Sequence, residues 1–309
     1  MNFLKPKFWD KDQVSFFSIL LFPISLCLKL INLFRNIFVK KNKFSIPVIC
    51  IGNIYLGGTG KTPLSIKLFS ILKKLNKNPA FIRKRYKHYQ DEINLLGNVG
   101  ATYESKTRKK ALNLAIKNNV NVAILDDGFQ DLSIKKDLSI ICFNSKQWVG
   151  NNFVIPAGPL RENLSSLNRA HFVIINGSKK LNIENKIFEN NKFIKIFYTK
   201  YIPENISEFK NKKIICFAGI GNPDNFFNLL SENNINLLEK ISFPDHYKYS
   251  DIELTNLINR CKDLGATLLT TEKDYLRIDE KMRESIQYLK IKLIIENEKQ
   301  FIDELKKFI

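Results

Sequence analysis

The sequence predicts an α/β protein: a parallel sheet with helices on both faces, preceded by a membrane-interface helix and followed by a second, smaller α/β lobe. Three observations predict it. An apolar run enters a glycine-rich loop and then a helical segment at residues 46–75. Short apolar runs alternate with helical segments further along, and an aromatic-rich segment followed by lysines stands near the N-terminus. A chain of 309 residues is long enough to bury such a core.

We expect four regions along this chain. Residues 1–43 hold the N-terminal interfacial helix, and residues 44–176 hold the core with the glycine-rich loop. Residues 177–212 are polar and rich in Asn and Lys, which is typical of a hinge, although one strand is expected inside them. Residues 213–309 again alternate strands with helices and therefore form the second lobe.

The N-terminal helix is predicted from Phe16 to Phe38, a stretch dominated by Phe, Leu and Ile. Pro23, Lys29 and Arg35 interrupt it, so its longest uncharged stretch is well short of the roughly 20 residues that span a bilayer. Apolar and aromatic residues beside basic ones favour a helix lying in the membrane interface, with the lysines at 40, 41 and 43 near anionic headgroups. A buried core helix is the alternative.

The glycine-rich loop lies between an apolar strand, Ile46–Ile51, and a helix over Leu64–Leu75. The backbone N–H groups of such a loop and the helix N-terminus bind phosphate oxygens. In a P-loop the lysine of Gly-Lys-Thr reaches the β- and γ-phosphates and the threonine hydroxyl ligates Mg²⁺. The strict pattern has glycine where this chain has tyrosine, but the order strand, loop, helix predicts a P-loop NTPase-type sheet rather than an incidental turn. The predicted phosphate-binding residues are Tyr55, Leu56, Gly57, Gly58, Thr59, Gly60, Lys61 and Thr62.

A second nucleotide signature follows a continuous apolar run, Val120–Leu125, which reads as a buried strand. The run ends in Asp126 and Asp127, followed by Gly-Phe-Gln. A carboxylate at the end of a strand next to a phosphate loop can hold Mg²⁺ or its water shell. An ordinary Asp-Gly turn is the alternative.

Composition narrows the classes of partner. The net charge is +19, with 49 Lys and Arg against 30 Asp and Glu, which indicates an anionic partner such as nucleic acid, an acidic membrane or a phosphorylated substrate. Part of this excess can instead be compositional, spread over solvated faces. Five cysteines without a C-x-x-C spacing and only three histidines predict reduced, buried thiols and argue against a Cys- or His-based metal site. No N-K-x-D guanine-reading motif occurs, which disfavours a GTPase.

Phosphoryl transfer depends on positioning and charge neutralisation, so charged loops should converge on the nucleotide. Several lie at or near predicted strand ends. Among them, Asp91 and His246 would make an acid–base pair in which the imidazole orients a carboxylate that accepts the hydroxyl proton. The charged loops are Asp91-Glu92, Asp126-Asp127, Arg161-Glu162, Asp245-His246 and Glu272-Lys273-Asp274.

Long motifs in fixed order resemble the tetraacyldisaccharide 4′-kinases of lipid A biosynthesis. They are G-N-I-Y-L-G-G-T-G-K-T-P, D-D-G-F-Q, P-A-G-P-L-R-E-N, F-A-G-I-G-N-P, F-P-D-H-Y and T-T-E-K-D, and they extend to about residue 278. The resemblance implies phosphorylation of the 4′-hydroxyl of tetraacyldisaccharide 1-phosphate by ATP, giving lipid IVA. It also implies a two-lobed enzyme anchored by its N-terminal helix at the cytoplasmic face of the bacterial inner membrane.

The resemblance also implies residue roles. Lys61 and Thr62 would serve the ATP phosphates and Mg²⁺, Arg161 would neutralise phosphate charge, and Asp91 would be the base, assisted by His246. The T-T-E-K-D loop would face the nucleotide from the second lobe. The chain departs from the family around Arg83–Tyr86 and in having aspartate directly after D-D-G-F-Q, where histidine is usual. The implied metal-site residues are Thr62, Asp126, Asp127, Gln130 and Glu162.

Two rival classes remain open: a membrane-associated P-loop ATPase without a lipid acceptor, and a nucleic-acid-binding protein that uses the net positive charge. The expected partners are an anionic glycolipid and the inner-membrane surface. We expect a monomer and no nucleic acid.

Overall fold

The computed structural model describes residues 6–10, 13–85 and 90–309, without the side chains at positions 32, 33, 35–37, 90–92 and 94. In chain order the elements are α1 (Phe16–Ile37), β1 (Val48–Gly52), α2 (Lys61–Lys74), β2 (Pro79–Lys84), α3 (Gln90–Gly97), β3 (Thr102–Ser105), α4 (Arg108–Lys117), β4 (Val122–Asp126), β5 (Leu138–Asn144), β6 (Phe172–Asn176), α5 (Leu181–Asn190) and β7 (Lys195–Pro203). They continue with β8 (Lys213–Ala218), α6 (Pro223–Glu232), β9 (Asn236–Ser242), α7 (Asp251–Leu264), β10 (Ala266–Thr271), α8 (Glu272–Tyr275), α9 (Glu280–Arg283), β11 (Gln287–Leu289), β12 (Ile291–Ile295) and α10 (Glu298–Leu305).

The first unit is built on an eight-stranded sheet in the order β12-β7-β6-β5-β1-β4-β2-β3. β1 lies in its interior and pairs in parallel with both β4 and β5. All five residues of β1 are buried, as a strand covered by helices on both faces requires. Parallel pairing places the ends of β1 and β4 at one edge of the sheet, with Ile51 opposite Asp126. The two nucleotide signatures are therefore neighbours in space.

The second unit is a four-stranded parallel sheet in the order β11-β10-β8-β9. The second unit has a hydrophobic core on each face of this sheet, and alternate residues of β8 contribute to each core. Ile214 and Cys216 pack on the side of α6, whereas Ile215 and Phe217 pack on the side of α7, because successive strand residues point to opposite faces. The predicted alternation of strands and helices is confirmed here too.

The boundaries between the units differ from the predicted regions. The first unit comprises the described chain up to Arg85, Val99–Lys200 and Leu293–Ile309, and the second comprises Tyr201–Lys292 with the segment that contains α3. The hinge predicted for 177–212 was wrong in its first part, because α5 and most of β7 belong to the first unit. The C-terminal segment, predicted to lie in the second lobe, returns to the first unit with α10. Such returns depend on strand pairing between distant segments, which local composition does not encode.

Helix α1 carries its apolar side chains outward and its small polar ones inward. Ser18 and Ser25, seven residues apart and thus on one face, are buried. The Ser25 hydroxyl donates to the carbonyl of Val154, and the Asn151 amide donates to the Ser18 hydroxyl. None of the described helices is long and apolar enough to cross a membrane. The exposed apolar residues of this segment are Phe16, Phe17, Ile19, Leu20, Phe22, Ile24, Leu26, Leu28, Leu30, Ile31, Phe34 and Phe38.

Candidate active site

The phosphate loop connects β1 to α2, and the Asn53 side chain stabilises it by hydrogen bonds. Its side-chain amide donates to the Tyr55 carbonyl at 2.5 Å, to the Gly57 carbonyl at 3.3 Å and to the Thr59 hydroxyl at 3.1 Å. Gly60, at φ 90°, precedes the first residue of α2, and this left-handed conformation favours glycine. The loop therefore presents the N-terminus of α2 as a site for an anion. Asn53 is not among the predicted site residues, although only Gly52 separates it from the apolar run of the predicted strand.

The centre of the site is a carboxylate held by two cations. Arg161 Nη1 donates to both oxygens of Asp127, at 3.0 and 3.1 Å, and the Lys61 ammonium lies 3.8 Å from the same group. Burial alone would raise the pKa of Asp127, but the Lys61 and Arg161 charges outweigh it and hold that pKa below its ordinary value. Two cations on one carboxylate leave a net positive charge beside the loop, which suits a phosphate group.

A second arginine fixes the backbone of this acidic loop. Arg108, at the start of α4, donates to the main-chain carbonyl of Asp127 at 2.6 Å and pairs with Asp131 at 3.3 Å. This contact supports the left-handed conformation of Asp127, at φ 52°. Burial would raise the pKa of Asp131, but its hydrogen bonds with Ser133 and the Arg108 charge lower it. The aspartate that departs from the family's usual histidine is thus an anchor for Arg108, a residue that sequence reasoning missed.

Asp126 is almost fully buried at the end of β4. The Ser65 hydroxyl of α2 donates to its Oδ1 at 2.9 Å, and Arg83 Nε of β2 lies 3.7 Å from its Oδ2. Asp126 therefore links α2, the helix after the phosphate loop, to its own strand β4 and to β2. Arg83, near the end of β2, is itself buried against this carboxylate.

The other predicted metal-site residues occupy the same neighbourhood with different partners. Gln130 donates its amide to the Asn53 carbonyl at 2.9 Å, so it supports the phosphate loop. Glu162 pairs with Arg169, while its Oε1 is buried without a hydrogen-bond partner. Thr62 lies in the first turn of α2. Within the described part of the chain, no cluster of three or more His, Cys, Asp or Glu side chains forms a ready-made metal cage.

Those oxygen donors nevertheless fit Mg²⁺. This ion is commonly bound by one or two protein oxygens, with phosphate oxygens and water completing its shell, so a cage of three acids is not needed. The unpartnered Oε1 of Glu162 and the hydroxyl of Thr62 at the helix N-terminus are both hard oxygen donors.

Tyr55, which stands where the strict pattern has glycine, does not present its ring to the loop interior. Its side chain is fully buried, and its hydroxyl donates to Asp10 Oδ1 at 2.5 Å. Burial and the adjacent Asp10 carboxylate raise the pKa of this phenol above its ordinary value. The departure from the pattern is thus a structural link to the segment before α1.

Replacing Tyr55 with phenylalanine should destabilise the first unit by about 1–3 kcal/mol, because a hydrogen bond to a charged acceptor is lost. Denaturant unfolding would measure it. Asp10→Asn and the double variant complete a cycle whose coupling energy should be clearly non-zero. Additive effects of the two substitutions would show that the pair contributes nothing.

The second unit holds the remaining predicted residues. His246 follows β9 at φ 59°, and its backbone N–H donates to the Gly219 carbonyl. Asp91 belongs to α3, which packs against α8 in this same unit; its side chain is outside the described set. Within the T-T-E-K-D loop, the Asp274 carboxylate is fully buried and hydrogen-bonded inside the unit. That this loop faces the nucleotide stays a prediction.

Together, the strand–loop–helix arrangement, the cationic centre and the acid-tipped neighbouring strand define a P-loop nucleotide-binding protein. The model of the tetraacyldisaccharide-1-P 4′-kinase family (LpxK) matches residues 17–105 and 91–309. The chain belongs to this family, and it is a kinase.

Relatives and a solved structure agree. The chain is 43% identical to a tetraacyldisaccharide 4′-kinase of Pelagibacter ubique, over 99% of this chain and 98% of the relative. It is 33% identical to the Rickettsia bellii enzyme of the same name, over 96% of each. The crystal structure of "apo" form LpxK from Aquifex aeolicus in complex with ATP superposes with a TM-score of 0.74 at 27% identity, covering 94% of this chain and 99% of that one.

Proposed function

We propose that this kinase transfers the γ-phosphoryl group of ATP to the 4′-hydroxyl of tetraacyldisaccharide 1-phosphate, giving lipid IVA at the cytoplasmic face of the inner membrane. The observation that carries the proposal is the Lys61–Asp127–Arg161 cluster beside a phosphate loop, in a chain that belongs to the tetraacyldisaccharide 4′-kinase family. The Aquifex relative, crystallised with ATP, supports the choice of nucleotide.

Nucleotide binding would exchange the partners in this cluster. Lys61 and Arg161 share Asp127, and a triphosphate offers both cations a more highly charged partner. Asp127 would thereby become free to serve Mg²⁺, together with Thr62, Asp126 and Glu162. The ion supplies neutralisation of the charge that develops on the transferred group. Gln130 would act by holding the phosphate loop through Asn53.

Asp91, assisted by His246, would remove the proton from the sugar hydroxyl. Both belong to segments of the second unit. In this proposal the Asp91 carboxylate accepts the hydroxyl proton, and the His246 imidazole orients that carboxylate.

The outward apolar face of α1 supports a membrane location. A helix that buries serines and exposes Phe, Leu and Ile has reversed the usual arrangement of a soluble surface helix. Lipid is the partner that covers such a face at the lowest cost, and the lysines at 40, 41 and 43 would meet acidic headgroups. The acyl chains of the substrate could then remain in the bilayer while its sugar reaches the site.

Replacing Leu20 and Ile31 on α1 with aspartate should lower binding to phosphatidylglycerol-containing vesicles by at least about 100-fold, because two apolar groups worth roughly 1.5–3 kcal/mol each are lost. Both side chains are more than half exposed, so folding should be preserved. Cosedimentation would measure the change. The control is Ile252→Asp, which changes an apolar residue of the second unit that is exposed still further. Equal loss in both variants would contradict a dedicated α1 surface.

The direct test incubates the full chain with γ-labelled ATP and tetraacyldisaccharide 1-phosphate in mixed micelles. Label should appear in the lipid, and ATP turnover should require the acylated sugar. Hydrolysis of ATP without the sugar would instead identify the rival ATPase. Salt-sensitive binding of single- or double-stranded DNA at physiological ionic strength, with no lipid labelling, would identify the nucleic-acid-binding alternative.

A further inference from the structure

His246 is held in one orientation by contacts inside the second unit. Its backbone is left-handed, at φ 59°, and its N–H donates to the Gly219 carbonyl at 3.1 Å. Its ring Nδ1 lies 3.4 Å from Arg277 Nη2. On the other side of the ring, Nε2 lies 3.9 Å from the Asp245 carboxylate, which in turn lies 4.0 Å from the Lys273 ammonium.

Arg277 is itself fixed by a buried carboxylate. Its Nη1 donates to Asp274 Oδ1 at 2.8 Å and to the Gly219 carbonyl at 2.6 Å. Asp274 is fully buried and also accepts from the Tyr249 hydroxyl at 2.9 Å, the Thr271 hydroxyl at 2.7 Å and the Gly219 N–H at 3.1 Å. Each of its oxygens thus has two donors, and the guanidinium has little freedom to turn.

This geometry selects one protonation form of the imidazole. A guanidinium carries only donors and does not lose its charge in proteins, so Nδ1 facing Arg277 has to be the acceptor. In a neutral imidazole the proton then resides on Nε2. A proton on Nδ1 would instead set donor against donor, because the Arg277 guanidinium can only donate. The carboxylate of Asp274, on the far side of Arg277, already accepts four hydrogen bonds and remains the partner of the guanidinium.

We propose that Arg277, anchored by Asp274, is a positioning residue that fixes His246 as the Nε2–H tautomer. The inference rests on the proposed function, in which His246 orients the Asp91 carboxylate. A ring with its proton on Nε2 offers a donor on the side away from Arg277, as that role requires. Arg277 therefore acts on phosphoryl transfer through His246 and not through the nucleotide.

Gly219 belongs to the same hydrogen-bond network. A Cβ built there would lie 2.7 Å from the Tyr249 hydroxyl and 3.3 Å from Asp274 Oδ1, so only glycine lets the strand end pass between these groups. Its N–H and carbonyl bind Asp274, Arg277 and His246 together.

The test uses the full chain labelled with ¹⁵N-histidine. The sequence has three histidines, so His88→Gln and His171→Asn assign the His246 signals by elimination. At neutral pH the ¹⁵N spectrum should show His246 with Nδ1 unprotonated and Nε2 protonated. A wild-type ring protonated on Nδ1 would overturn the proposal, whatever the variants do.

Arg277→Met removes the guanidinium donors and keeps an unbranched stem about as long as the Cβ–Nε part of arginine. Its ¹⁵N spectrum should move toward a mixture of tautomers. The kcat for lipid phosphorylation should fall about 10- to 100-fold, while the KM for ATP should stay unchanged. Arg277→Lys, which restores a charged donor, should recover part of both. A folded Arg277→Met protein with an unchanged His246 spectrum would contradict the positioning role.

A failure of the proposed function can be distinguished from a failure of this inference by the activity of His246→Gln. If His246→Gln phosphorylates the lipid at the wild-type rate, the role of His246 in catalysis is rejected, whereas the tautomer assignment is decided separately by the spectrum. If the spectrum is as expected and Arg277→Met lowers kcat while His246→Gln does not, Arg277 does not act through His246 and the inference fails.

Discussion

Replacing Lys61 with alanine should lower kcat for lipid phosphorylation by at least about 10³-fold. Removing one preorganised charge that stabilises a transition state usually costs on the order of 10²–10³-fold, and Lys61 also binds the nucleotide in the ground state. The rate of label transfer from ATP to the lipid, measured at saturating ATP, tests it. The fold should persist, because Asp127 still accepts from Arg161 Nη1 on both of its oxygens when the ammonium is gone.

Lys67→Ala is the matched control. It lies on the same helix α2, its side chain is 14% exposed against 15% for Lys61, and it is likewise paired with a carboxylate, Glu298, at 2.7 Å. The two variants therefore remove the same groups from similar surroundings, one beside the phosphate loop and one away from it. Near-normal transfer by Lys61→Ala, or an equal loss in Lys67→Ala, would refute the role of Lys61.

The same substitution should change the response of stability to acid. The pKa of Asp127 is lower in the folded chain than in the unfolded one, so the unfolded state binds a proton more readily. The resulting stabilisation is fully present above the unfolded value of about 3.9 and is lost as the pH falls through the folded pKa. Lys61 supplies part of this lowering, so the free energy of unfolding of Lys61→Ala should depend less steeply on pH below about 4.

Local signals predicted the centre of the fold well. β1, the phosphate loop and α2 were expected from an apolar run followed by glycines and Gly-Lys-Thr, and β4 from an apolar run ending in acids. Both strands are buried on two faces, so their hydrophobic runs are continuous and carry strong information. Parallel pairing then brings Lys61 and Asp127 together, as the combination of the two signatures requires.

Features that depend on distant pairings were not predictable in this way. β3 is partly buried along its whole length, without a clear alternation, and was missed. The return of residues 293–309 to the first unit is set by the position of β12 beside β7. The same limitation applies to side chains: Tyr55 meets Asp10 across 45 positions, and Arg83 approaches Asp126 across a strand pair. A sequence pattern in one segment does not identify the distant segment or side chain that it contacts.

Replacing Asp91 with alanine should lower kcat by about 10²–10⁴-fold, the range that general-base catalysis contributes, while the KM for ATP should change little. The carboxylate is proposed to act on the sugar hydroxyl, and the nucleotide phosphates are served by the first unit. A loss in kcat without a loss in ATP affinity would therefore separate this residue from Lys61, whose substitution should weaken both. Lipid labelling at varied ATP concentrations gives the two parameters.

Asp263→Ala provides the comparison for Asp91→Ala, since Asp263 is an exposed aspartate of α7 in the same unit and has no place in the proposed site. Asp91→Asn refines the test, because the amide keeps the size of the side chain and removes its ability to accept the hydroxyl proton. If Asp91→Asn were as impaired as Asp91→Ala, basicity would be the property that matters. If Asp91→Ala transferred phosphate at nearly the normal rate, the base would have to be another group near the sugar, and the carboxylates of Asp245 and Glu272 in the second unit would be the next candidates.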